Sequence, residues 1–62
     1  MYDAMGNGLA VGQVLQGFGL HNAGRYYTVE KIGRTGRVKL HRHLDGRRFW
    51  QTNMTHYRVV EG

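Results

Sequence analysis

The 62-residue sequence predicts an all-β chain of five short strands. Three observations carry that expectation. Segments rich in Val, Ile, Leu, Tyr, Phe and Trp alternate with glycine-containing turns, the pattern of strands joined by tight connections. No stretch places apolar residues at helical spacing over the roughly 11–18 residues that identify a helix. The stretch from Arg37 to Thr52, RVKLHRHLDGRRFWQT, reads as a β-hairpin about Asp45-Gly46, a pair that tolerates the positive φ of a tight turn.

Residues 1–8 (MYDAMGNG) show no periodicity and read as a flexible N-terminal arm, with 9–62 as a single small β-barrel domain. The first strand is expected over 9–16, weakened or bent at Gly12. Residues 17–24 are a glycine-rich loop whose Phe18 and Leu20 are expected to fold back on the core. The second strand, 25–32, is built from good strand formers: Tyr26, Tyr27, Thr28, Val29 and Ile32. Pairing Ile32 with Arg37 across the Gly33–Gly36 turn sets Glu30 against Lys39 and Val29 against Leu40, a charge pair outside and an aliphatic pair inside. The third and fourth strands, 37–44 and 47–52, are the hairpin. Residues 53–56 suit one 3₁₀ turn, and 57–61 a short last strand.

In the hairpin, a two-residue turn pairs Arg42 with Phe49 and His41 with Trp50, and directly opposed residues share a face. One face then carries Val38, Leu40, Arg42, Leu44 and Phe49, the other Arg37, Lys39, His41, His43, Arg48 and Trp50. The first packs on a core expected to include Val14, Val29 and Val59. The second is cationic around a Trp. A one-residue slip would exchange the faces and bury Trp50 instead.

Composition narrows the function. A chain this short buries only roughly 60% of its unfolded surface, so the fold is a single domain of modest stability. There is no Cys, Ser or Pro, so no disulfide and no thiolate metal site. No apolar run approaches the ~20 residues of a membrane helix, and no signal-peptide core is visible; a cytoplasmic protein is the expectation. The net charge is +5, and all nine basic residues lie between Arg25 and Arg58, where only Glu30 and Asp45 oppose them. Such asymmetry points to an anionic partner, whether nucleic acid, an acidic protein surface or an anionic membrane; nucleic acid or an acidic protein surface is the expectation, and no membrane.

An enzyme is not expected. The usual Ser and Cys nucleophiles are missing, and Asp3, Glu30, Asp45 and Glu61 are too scattered for a paired acid and base. His41 and His43 form an H-x-H pair that His56 or His21 could complete as a metal site. Arg37, Lys39 and Arg48 on the same face repel a cation, so neither metal nor cofactor is expected.

The order of elements (strand, long loop, three-strand meander, 3₁₀ turn, short strand) resembles the SH3-like small barrels, the superfamily that includes KOW and Tudor modules. The best local match is the run from Phe49 to Val60, FWQTNMTHYRVV, which looks like the fourth strand, 3₁₀ turn and fifth strand of that fold. The resemblance implies a five-stranded SH3-like barrel. The acidic loop and the Pro of peptide-binding SH3 domains are missing, as is a clean KOW glycine signature, so no functional residues transfer.

The resulting expectation is a small basic binding module. Arg37, Lys39 and Arg48 would neutralise phosphates of DNA or RNA, with His41 and His43 on the same binding face, while Trp50 stacks on a base. The alternative is a protein-binding regulator or inhibitor, of the kind phages and mobile elements encode, docking through exposed strand edges, Trp50 and the arginines. A homodimer through a strand edge is a further possibility for so small a core.

Overall fold

Alternating β-branched and aromatic side chains fold this chain into strands that share one buried face. The structure, a computed structural model, describes residues 2–19 and 23–61. Five strands, β1 (Val14–Gly17), β2 (Tyr26–Ile32), β3 (Val38–Arg42), β4 (Arg48–Gln51) and β5 (Tyr57–Glu61), form one antiparallel sheet in the order β4-β3-β2-β1-β5. No helix occurs among the described residues. The sheet is open, with β4 and β5 as its edges. The first strand begins later than expected because Gly12, at φ 94°, closes a turn instead of extending it.

Leu15, Tyr27, Val29, Val38, Leu40, Met54 and Tyr57 are buried, with Leu9, Ile32, Phe49 and Val59 packed against them. The Tyr27 ring lies edge-to-face with Phe49 at 5.9 Å and with Tyr57 at 5.1 Å. β4 and β5 each stand two strands from β2, roughly 10 Å away in a flat sheet. For both edge rings to reach Tyr27, the sheet must coil around it.

Several expectations are corrected here. Val14 is only half-buried and Leu15 takes its place in the core, so β1 presents the opposite alternate residues. Leu44, expected on the apolar face, is 69% exposed in the hairpin loop. Phe49 and Val59 are half-buried, while Met54 and Tyr57 are core. Residues 53–56 form a single turn rather than a 3₁₀ segment. Asn53 Oδ1 accepts the Thr55 N–H at 3.0 Å and the Thr55 hydroxyl at 2.7 Å, an Asx turn that competes with helical bonding. Phe18 packs on the His56 ring, with centroids 6.1 Å apart, and not into the core; Leu20 lies outside the described residues.

Residues 2–8 turn about Asp3, which is 6% exposed. Its carboxylate accepts the N–H groups of Met5 at 3.0 Å, Asn7 at 2.8 Å and Val59 at 2.6 Å, and the Asn7 side-chain amide at 3.2 Å. The Ala4 N–H adds a bond to the Tyr57 carbonyl at 2.9 Å. Two outward backbone groups of β5, the Tyr57 carbonyl and the Val59 N–H, are thereby occupied. Burial pushes the Asp3 carboxyl up, but these donors, Val59 first, outweigh it and hold its pKa below the ordinary value.

Two outcomes follow. Leu15→Ala should cost about 2–5 kcal/mol, whereas Val14→Ala should cost well under that, as read by urea unfolding; equal costs would put β1 in the wrong register. Because the folded pKa of Asp3 is depressed, its contribution is present above its unfolded value near 3.8 and lost as pH falls through the folded one. Asp3→Asn should lower the melting temperature at neutral pH and shrink the loss of stability below about pH 4, without abolishing it, since Asp45 also titrates low.

Candidate nucleic-acid interface

The β3–β4 hairpin pairs Lys39 with Trp50, Leu40 with Phe49 and His41 with Arg48. This register differs from the expected one by an even step, so each residue opposes a different partner yet keeps its face. The reason lies in the loop. Gly46 takes φ 73°, but among the described residues no non-glycine, Asp45 included, has positive φ, so Asp45 does not serve in a two-residue mirror-image turn. The chain instead forms a longer loop, closed by the Gly46 N–H to the Arg42 carbonyl at 2.9 Å and the Arg42 N–H to the Arg47 carbonyl at 2.7 Å. Asp45 braces it, accepting from Arg42 Nη2 at 2.6 Å, Arg42 Nε at 3.0 Å and the Arg47 N–H at 3.1 Å. The Arg42 guanidinium, and then the Arg47 N–H, hold the Asp45 carboxyl far below the usual carboxylate range.

β2 and β3 pair as expected at Tyr27–Arg42, Thr28–His41 and Val29–Leu40. A bulge between Val29 and Lys31 then shifts the register, pairing Lys31 with Lys39 and Ile32 with Val38. The expected Glu30–Lys39 and Ile32–Arg37 pairs therefore do not form. Glu30 reaches Arg48 instead, at 2.8 Å. Burial selects the bulge, because it turns Ile32 toward the core beside fully buried Val38.

The outcome is a cross-strand row, Lys31–Lys39–Trp50, on the outer face of three neighbouring strands. Sequence reasoning missed Lys31; the signal available was the apolar demand of Ile32 opposite Val38. Trp50 is 40% exposed, with the Arg37 guanidinium 5.1 Å from the ring centroid. The indole also lies over Gly33, where an added Cβ would stand 3.4 Å from Trp50 Cζ3. Of the expected site residues, Lys39, His41, Arg48 and Trp50 share this face, and Arg37 flanks it just outside β3. The Arg48 charge is partly matched by Glu30. His43 is not on a strand: it sits in the hairpin loop, with Nε2 2.6 Å from Thr28 Oγ1. The His41 and His43 rings are 5.9 Å apart, and no group of three metal-ligating side chains occurs among the described residues. His56 contacts Phe18 instead, and His21 lies outside the described residues.

No helix among the described residues is long and apolar enough to cross a membrane. Comparison with protein-family models, curated proteins and solved structures gives no match.

Two ammonium groups directly opposed on a sheet destabilise it unless an anion lies between them. Lys31→Glu should therefore stabilise the fold by about 0.2–1 kcal/mol, raising the melting temperature by a few degrees at low salt. The gain should fade near roughly 1 M salt, where such charges are screened. An unchanged melting temperature at low salt would mean the two side chains do not meet.

Proposed function

We propose that this protein is a small non-enzymatic module that binds DNA or RNA through the outer face of β2, β3 and β4. The observation that carries the reading is the Lys31–Lys39–Trp50 row. Its opposed lysines lack a carboxylate between them, and a phosphate bridging the pair would turn a repulsion into two attractions. Arg37 extends the cationic surface along the strands, and the His41 ring adds a hydrogen-bonding group beside it. Trp50 adds a π-face for an unpaired base, and a base that takes this face displaces Arg37 toward the phosphate backbone. An SH3-like small barrel belongs to the same proposal. The coiling about Tyr27 and the pairing of β1 with both β2 and β5 support it.

The test is an anisotropy titration of labelled single- and double-stranded DNA and RNA at roughly 50 and 200 mM salt. Binding should weaken steeply with salt. Lys31→Ala and Lys39→Ala should each lower the salt slope by about one unit and weaken binding to all sequences alike. Trp50→Ala should cost single-stranded binding about 1–3 kcal/mol with the slope nearly unchanged. Failure to bind any of the four nucleic acids at low salt would overturn the reading.

A further inference from the structure

The two edges of the sheet are treated differently. On β5, the outward carbonyl of Tyr57 and the outward N–H of Val59 are taken by Ala4 and Asp3. On β4, the bond from the Arg42 N–H to the Arg47 carbonyl, with Leu40 opposite Phe49, fixes which residues face β3. By antiparallel alternation Phe49 and Gln51 turn their backbone groups inward to β3, and Arg48 and Trp50 turn theirs outward. No described residue hydrogen-bonds to those outward groups. Open edges invite strand addition, and natural sheets usually cover them, as residues 2–8 cover β5 here.

A pocket of about 360 Å³ opens beside this edge, on the inner side of the sheet. Arg42, Arg47 and Arg48 line it together with Tyr27, Phe49 and Tyr57, and its exposed lining is more polar than apolar. An added strand would send alternate side chains to the two faces. Those on the inner side meet this pocket of arginines and rings; those on the outer side meet Arg48 and the Lys39–Trp50 pair. In strand addition, main-chain bonds supply affinity and such pockets supply choice of side chain.

The geometry points to β4 as a docking edge for an extended segment of another protein in which acidic residues alternate with large apolar ones. Charge selects this occupant. The segment 47–51 carries two arginines and no carboxylate, so a second copy pairing antiparallel on β4 would bring two more arginines to the same edge and no carboxylate to meet them. On the copy's other edge, β5, the Tyr57 carbonyl and the Val59 N–H are already taken. An acidic strand instead brings carboxylates to Lys39 and, beside Glu30, to Arg48, and a large aromatic side chain packs against the arginines and rings of the pocket. The Arg47 side chain, 78% exposed and 3.9 Å from Asp45 at its nearest, stands at the pocket rim where a second carboxylate can reach it.

The probe is a synthetic seven-residue peptide alternating Glu with Val and carrying Phe at its centre. The readout is amide hydrogen exchange and chemical shift of the ¹⁵N-labelled protein. Saturating peptide should slow exchange at the Trp50 and Arg48 amides by about tenfold or more and shift the β4 and pocket resonances. A chain synthesised with an N-methyl group on Trp50 keeps the indole and loses one outward donor. It should bind the peptide about tenfold more weakly, and a Lys-for-Glu peptide should not bind. Lys31→Ala should weaken oligonucleotide binding while leaving peptide protection of the Trp50 amide in place, which separates this inference from the nucleic-acid reading. Three results would overturn it. The Trp50 and Arg48 amides could exchange unchanged under saturating peptide. Their protection could rise with protein concentration alone, which would assign the edge to a second copy. An oligonucleotide could protect them where the peptide does not. The exchange data on the unmodified chain decide the matter if the N-methylated chain does not fold.

Discussion

Tyr27 sits where every part of the sheet converges. It lies on the central strand, is 1% exposed, and holds a ring from each edge strand against its own. Aromatic pairs in this edge-to-face arrangement are worth roughly 0.5–1.5 kcal/mol each beyond the area they bury. In a chain whose whole stability is expected to be only a few kcal/mol, two such contacts are a large share. They also have a geometric effect that their energy does not express. Phe49 and Tyr57 can both touch Tyr27 only if the sheet curls inward at β4 and β5. That curl turns the opposite face outward as a convex surface.

What that convex surface carries is decided by the bulge in β2. Without it, Glu30 would face Lys39 and neutralise it, and Lys31 would point to the core side. With it, Lys31 and Lys39 stand together and Glu30 moves to Arg48. Ile32 is half-buried. Half of the roughly 1.5–3 kcal/mol that full burial of an Ile is worth still matches or exceeds the ~0.2–1 kcal/mol repulsion between two opposed ammonium groups. Core packing therefore wins, and it leaves an uncompensated cationic pair on the outer face.

The fold class, the five strands and their sequential meander were legible because they depend on alternation and on glycine turns. The face carrying Lys39, His41, Arg48 and Trp50 was legible for a subtler reason. The hairpin register was misjudged by an even step, and a period of two hides such an error from the choice of face. Other features depend on contacts that no local pattern encodes. Leu15 rather than Val14 is core because β1 lies between β2 and β5, which the sequence around it does not specify. Lys31 joins the face only through a bulge. Asp3 looked like a loose polar residue, and its burial comes from four donors, one of them Val59 at the far end of the chain. Tyr57 and Met54 enter the core because the Asn53 turn aims them there.

The Asp3–Val59 bond, spanning 56 residues, also bears on how the chain reaches this state. The β2–β3–β4 meander can form from local contacts, whereas β1 must wait for β5, and Asp3 must wait for both. Loop-closure entropy makes such distant pairings late and slow, placing the protein toward the millisecond-to-second end for small β domains. Until they form, β5 has no neighbour on either side and its valines are unprotected. The interval between a finished meander and a closed chain is thus when this protein is most exposed to aggregation, and a single carboxylate helps to end it.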